Sequence, residues 1–157
     1  MFTAKDVFEK ARDAALAATG PDERALQIDY AALEANFQAA LADRQVAMVH
    51  INKHLPQGYE DQGHFNLVLL TTGNVLYDMV IGDTYFRYDV TSVANLDKVQ
   101  VTDGTWEDTE NRKEIPFLSL RVEHANETHL LLALNDEERQ SLHAFIRAVA
   151  EARYPEQ

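Results

Sequence analysis

The sequence predicts an α+β protein in which a helical hairpin precedes a run of short antiparallel strands and one closing helix. Three observations predict it. The hydrophobic repeat changes near Val46 from about 3.6 residues to about 2, β-branched and aromatic residues become common beyond that point, and a helical repeat returns only after Asn135.

The first helix is read from Thr3, an N-cap with Asp6 three residues on. Val7, Ala11, Ala14, Ala15 and Ala18 then recur at helical spacing until Gly20-Pro21 stops the run. Pro21, Asp22 and Glu23 suit the start of a second helix, because a missing backbone donor costs nothing in the first turn and carboxylates meet the positive helix end. Its stripe is Leu26, Tyr30, Leu33, Phe37, Ala40 and Leu41. The helical pair, residues 1–44, must therefore bury a face, against the sheet that follows or against a second copy in a homodimer.

Residues 46–134 read as seven strands. Ala47, Val49 and Ile51 alternate with Met48, His50, Asn52 and His54, the pattern of one dry face and one wet face. Leu55 to Gly63 is a loop, Phe65 to Thr71 the second strand, and Thr72-Gly73-Asn74 a tight turn into Val75 to Ile81. Gly82-Asp83 is a two-residue turn into Thr84 to Val90. Leu96 to Thr102 follows, a polar loop spans Asp103 to Glu114, and Pro116 to His124 and Thr128 to Leu134 complete the set. Residues 135–153 form the last helix: Asn135 caps it, Glu138 is placed to bond back, and Leu142, Phe145, Ile146 and Val149 make its apolar stripe. No repeat, low-complexity tract or Gly/Ser linker divides the chain, so it reads as a single domain.

From about Val46 to Arg153, seven hairpin-linked strands and a terminal amphipathic helix resemble the pleckstrin-homology superfold. Leu69-Leu70-Thr71-Thr72-Gly73-Asn74-Val75-Leu76-Tyr77 and Tyr88-Asp89-Val90-Thr91-Ser92-Val93 are similar to stretches of bacterial PH-like and GRAM-like domains. The resemblance implies a partly open barrel of two near-orthogonal sheets plugged by the last helix, and a non-catalytic module that binds a protein or peptide. The N-terminal helices lie outside that pattern. Phosphoinositide-binding relatives carry several cations between the first two strands. Here that loop sets Lys53 against Glu60 and Asp61, so phosphoinositide binding is not carried over.

The formal net charge of -12 repels phosphate backbones and anionic lipid surfaces, which argues against nucleic acid and membrane partners. It favours a basic or neutral protein surface, and equally suits an acidic immunity protein or secretion chaperone that escorts a basic protein. No cysteine occurs, which excludes disulfides, Cys-ligated zinc and thiol nucleophiles. The N-terminus lacks the apolar run of a signal peptide and no stretch approaches about 20 apolar residues, so no integral membrane association and a cytoplasmic location are expected.

No phosphate-cradling, dinucleotide-binding, H-E-x-x-H or nucleophile-elbow motif is present; no catalytic residue and no cofactor are expected. Two sets of histidines are candidate metal ligands. A turn at Asn126-Glu127 would set His124 opposite His129, while His50, His54 and His64 gather near Glu60 and Asp61. Exposed turn histidines and a solvated strand face are the plainer readings of both. Trp106, the only tryptophan, sits among Asp103, Glu107, Asp108 and Glu110 and either anchors a basic partner or folds back over an open end of the sheets. The carboxylates around it lack the spacing and turn glycine of an EF-hand. Tyr85 and Arg87 share one strand face and Phe86 and Tyr88 the other, so one pair is expected in the core and the other either forms a surface aromatic–cation patch or, as such residues more commonly do, packs across strands.

Overall fold

The computed structural model describes residues 1–17, 28–52, 64–82 and 85–155, with His64 and Phe65 by backbone alone. The elements run α1 (Ala4–Ala17), α2 (Tyr30–Leu41), β1 (Val46–Asn52), β2 (His64–Thr71), β3 (Val75–Gly82), β4 (Phe86–Ser92), β5 (Lys98–Asp108), β6 (Lys113–His124), β7 (Glu127–Ala133) and α3 (Asp136–Arg153). They form two compact units, residues 1–90 and 91–157. One sheet has the order β1-β2-β3-β4 and the other β5-β6-β7; both are antiparallel and open.

In the first unit, α1 starts with a reciprocal capping box. The Thr3 amide donates to the Asp6 carboxylate at 2.9 Å and the Asp6 amide donates to Thr3 Oγ1 at 3.2 Å, so two otherwise orphaned donors are satisfied. Val7, Phe8, Ala11 and Ala15 of α1 join Leu33, Phe37 and Leu41 of α2 in one core with Leu67, Leu69, Tyr77, Met79 and Ile81 of the sheet. The apolar stripes of the two helices are thus buried on their own sheet. Helix α2 begins at Tyr30 and not at Pro21: Ile28 and Asp29 are non-helical, and the Asp29 carboxylate accepts the Ala32 amide at 3.1 Å. Residues 18–27, where the earlier start was expected, lie outside the described residues.

The expected wet face of β1 is not wet. His50 and Asn52 are each 3% exposed, whereas Val49 and Ile51, which pack against the core, are half-buried. Polarity failed as a guide because the polar groups bond within the sheet: Asn52 faces Asn66 across β1 and β2, and its Nδ2 donates to Asn66 Oδ1. Between β2 and β3 the turn is where the sequence places it, but Asn74, with φ of 62°, takes the left-handed position. The expected turn at Gly82-Asp83 falls partly outside the described residues; the Gly82 amide donates to the Tyr85 carbonyl at 3.0 Å and β4 starts at Phe86.

In the second unit, α3 packs on β6, β7 and the 3₁₀ turn Val93–Asn95. Leu142, Phe145 and Val149 are buried on it, and its ends are fastened by Arg139 Nη2 to Asp103 Oδ2 at 2.8 Å and Arg153 Nε to the Leu96 carbonyl at 3.1 Å. Asn135 Oδ1 accepts the Glu138 amide at 2.8 Å, and Glu138 Oε1 accepts the Leu134 amide at 2.9 Å, one residue before the cap. Replacing Asn135 by Ala removes one of these bonds. It should cost about 1 kcal/mol, seen as a lower urea midpoint at an unchanged slope; an unmoved midpoint would mean that the cap is dispensable.

Candidate functional site

The largest departure from the sequence reading lies where a polar loop was expected at Asp103 to Glu114. Strand β5 runs on to Asp108 and β6 begins at Lys113, with Trp106 paired to Ile115, Glu107 to Glu114 and Asp108 to Lys113. Pairing of β6 to β7 ends at Leu118 with Ala133, so residues 104–108 and 113–117 form a two-stranded ribbon beyond the three-stranded part of the sheet. Period-2 hydrophobicity could not reveal it, because both ribbon faces lack a buried layer and Gly104 with the Asp and Thr residues mimics turn chemistry. Trp106, Ile115 and Phe117, which fall on one face once paired, were the available signal.

A lone two-stranded ribbon is marginal in water, and this one carries its own small cluster. The Trp106 and Phe117 rings lie 5.3 Å apart at 32°, a diagonal cross-strand pair. Phe117 faces Gly104, where an added Cβ would come 3.4 Å from two ring atoms; the glycine leaves the space over which the ring lies. Trp106 is 38% exposed, so the indole is neither in the core nor merely a plug. Asp108 shares its face, with Lys113 opposite, while Glu107 and Glu114 pair on the other face and Glu110 and Arg112 lie at the tip.

The tip is fixed by Asp108. Its carboxylate accepts the side-chain amide of Asn111 at 2.9 Å, the Glu110 amide at 3.1 Å and the Asn111 amide at 3.4 Å. These donors, the Asn111 side chain foremost, hold the Asp108 pKa below its ordinary 3.8. The folded carboxylate therefore binds a proton less tightly than the unfolded one. The contribution of the tip is present above the ordinary value and is lost as pH falls through the lowered one. The Glu110 and Asn111 amide resonances should titrate with a midpoint below 3.8; a midpoint at or above that value would remove Asp108 from the account.

The histidines do not assemble as the sequence suggested. Ala125 and Asn126, with φ of 50° and 71°, form the β6–β7 turn in place of Asn126-Glu127. His124 consequently faces Glu127, and His129 faces Val122. The two histidines share a face but sit diagonally, His124 Nδ1 bonded to the Asn95 carbonyl at 2.9 Å and His129 buried. His50 is buried on β1; His54 lies outside the described residues, and of His64 only the backbone is described.

Tyr85 and Arg87 belong to the first unit and Trp106 to the second. Both Tyr85 and Arg87 are exposed, and a Cβ added to Gly82 would come 2.6 Å from the Tyr85 ring, so that ring covers the glycine. Phe86 is half-buried against the core of the first unit and Tyr88, 40% exposed, lies against it, so neither pair is wholly core as the sequence suggested. Their rings continue a chain from Phe37 (5.5 Å to Phe86) through Tyr88 (5.6 Å from Phe86) to Tyr77 (5.9 Å from Tyr88). Tyr77 hydroxyl in turn accepts from Arg44 Nη1 at 2.5 Å and donates to the Ala40 carbonyl at 3.3 Å, which closes that end of the first unit.

Among the described residues no helix is long and apolar enough to cross a membrane. Comparison with protein-family models, curated proteins and solved structures found no match to this chain.

Proposed function

We propose that this chain is a non-catalytic binding module on a pleckstrin-homology-like plan, and that it holds a protein partner on the β5–β6 ribbon. The observation that carries the reading is Trp106, an amphipathic side chain held by backbone pairing on a ribbon beyond the three-stranded part of the sheet and left 38% exposed. A large ring with few rotatable bonds loses little entropy on contact, which is why such residues dominate interface energetics. The strand order, four and then three antiparallel strands followed by α3, supports the PH-like plan. Charge sets the partner's sign: at -12 the chain is steered toward basic surfaces and away from phosphate polymers.

Affinity capture from extract of the source cells, run in parallel with wild type and Trp106→Ala at low and high salt, tests the reading. A protein retained by wild type, lost by the variant and released as salt rises supports it. Equal retention by both proteins would place the interface elsewhere.

A further inference from the structure

The identity of the contact can be narrowed from the ribbon itself. Its apolar patch is only Trp106, Ile115 and Phe117, and Ile115 and Phe117 are already half-buried, so it is too small to hold a wholly apolar surface by area alone. On the same face Asp108 stands across from Lys113, Glu110 and Arg112 lie at the tip, and the Glu107–Glu114 pair faces the other way, so the attraction for a cation comes from the indole, from Asp108 and from the net charge of -12. Indole is the best of the aromatic faces for a cation. The Asp108 carboxylate on the same face adds negative charge of the kind a guanidinium pairs with. A second copy of the chain is a poor occupant, since it would bring another -12 against a ribbon of the same sign.

Resting on the binding-module reading above, we infer that the Trp106 face of the ribbon receives an arginine side chain from a basic polypeptide segment of the partner. The guanidinium lies against the indole, and Asp108 on the same face, with Glu110 at the tip, supplies the counter-charge. Arginine is preferred over lysine because it is planar, stacks on aromatic faces and is less strongly hydrated than an ammonium.

Trp106 is the only tryptophan, so its emission reports on the site without a label. The probes are three short peptides of equal length that alternate glycine with arginine, with lysine or with serine, titrated into wild-type protein in about 50 mM salt, where surface attraction is weakly screened. The arginine peptide should change Trp106 emission saturably, the lysine peptide more weakly, and the serine peptide not at all. With a fluorescein-labelled arginine peptide, anisotropy should show about fivefold weaker binding to Trp106→Ala, a cation–π loss of ordinary size. Trp106→Tyr should fall between, and keeps the ring should the alanine variant fail to fold. Asp108→Asn with Glu110→Gln should weaken binding, whereas neutralising Glu9 and Glu34, exposed or half-buried acids of the helices, removes the same charge without effect.

Equal binding of the arginine peptide to wild type and Trp106→Ala, or equal effect of the two neutralised pairs, would reduce the attraction to net charge and overturn the inference. Should extract capture depend on Trp106 while none of the peptides binds, the arginine assignment fails and the binding module stands. Should capture be independent of Trp106, the module reading itself fails.

Discussion

Phe37→Ala is expected to lower the stability of the first unit by about 3–5 kcal/mol. Phe37 is fully buried, its ring centroid lies 6.4 Å from that of Phe8 in α1 and 5.5 Å from that of Phe86 in β4, and it therefore ties both helices to the open edge of the sheet. Removing it deletes the transfer energy of a phenyl ring, leaves a cavity between two elements that cannot both collapse into it, and forfeits two aromatic pairs. Against a total stability of about 5–15 kcal/mol typical of a domain, that is a large fraction. A thermal melt followed by circular dichroism should show the midpoint fall by about 6–20 °C. Leu16→Ala, at a residue on α1 that is 65% exposed, should move it hardly at all. Equal shifts for the two variants would show that the helices are not held to the sheet by this ring.

The same contrast explains what could be read from the chain before its structure. Leu142, Phe145 and Val149 were legible because a 3.6-residue repeat of large apolar side chains has few other solutions, and the Asn135 cap before them is a local signal. Strand positions Leu67, Leu69, Tyr77 and Met79 were legible because short apolar runs set off by the Thr72-Gly73-Asn74 turn are equally local, although Val68 and Leu70 on the other face of β2 are buried as well. The start of α2 was not, since the apolar repeat runs through Leu26 and the choice of Asp29 as cap is made by tertiary packing of Leu33 and Phe37.

The candidate site was half legible. Trp106 stood out from its isolation among carboxylates, as an anchor or as a cover for an open end, yet its placement on a strand depends on pairing with Ile115, nine residues away in sequence, and on Gly104 making room for Phe117. The His124–His129 pairing failed by a register step of two residues: a turn at Ala125-Asn126 needs two positive φ values, one of them at an alanine that rarely adopts them. Sequence rules favour Asn-Gly or Asp-Gly in such a turn, and residues 124–128 offer neither.

The least legible feature predicts the second large effect. Asn66, on β2, is 8% exposed and spends its amide fully: Oδ1 accepts from Asn52 Nδ2 on β1, while Nδ2 donates to Asp78 Oδ1 and to the Met79 carbonyl at 3.0 Å on β3. Nothing in the local sequence announces this, because the partners are 14 and 12 residues away and each alone reads as a solvent-facing strand residue. Once paired, the three lock the register of three strands, since a slip of one residue would turn the whole set to the helix-covered face. Asn66→Ala deprives the buried amide of Asn52 and the half-buried carboxylate of Asp78 of one partner each, and should cost about 2–4 kcal/mol, more than its lost volume warrants. Asn52→Ala alone should cost less, and the double variant clearly less than the two single losses together, because the second truncation removes a group already short of a partner. Urea unfolding of all four proteins gives the coupling directly. Additivity to within about 0.5 kcal/mol would mean that the two amides act independently and that register is held by the apolar residues alone.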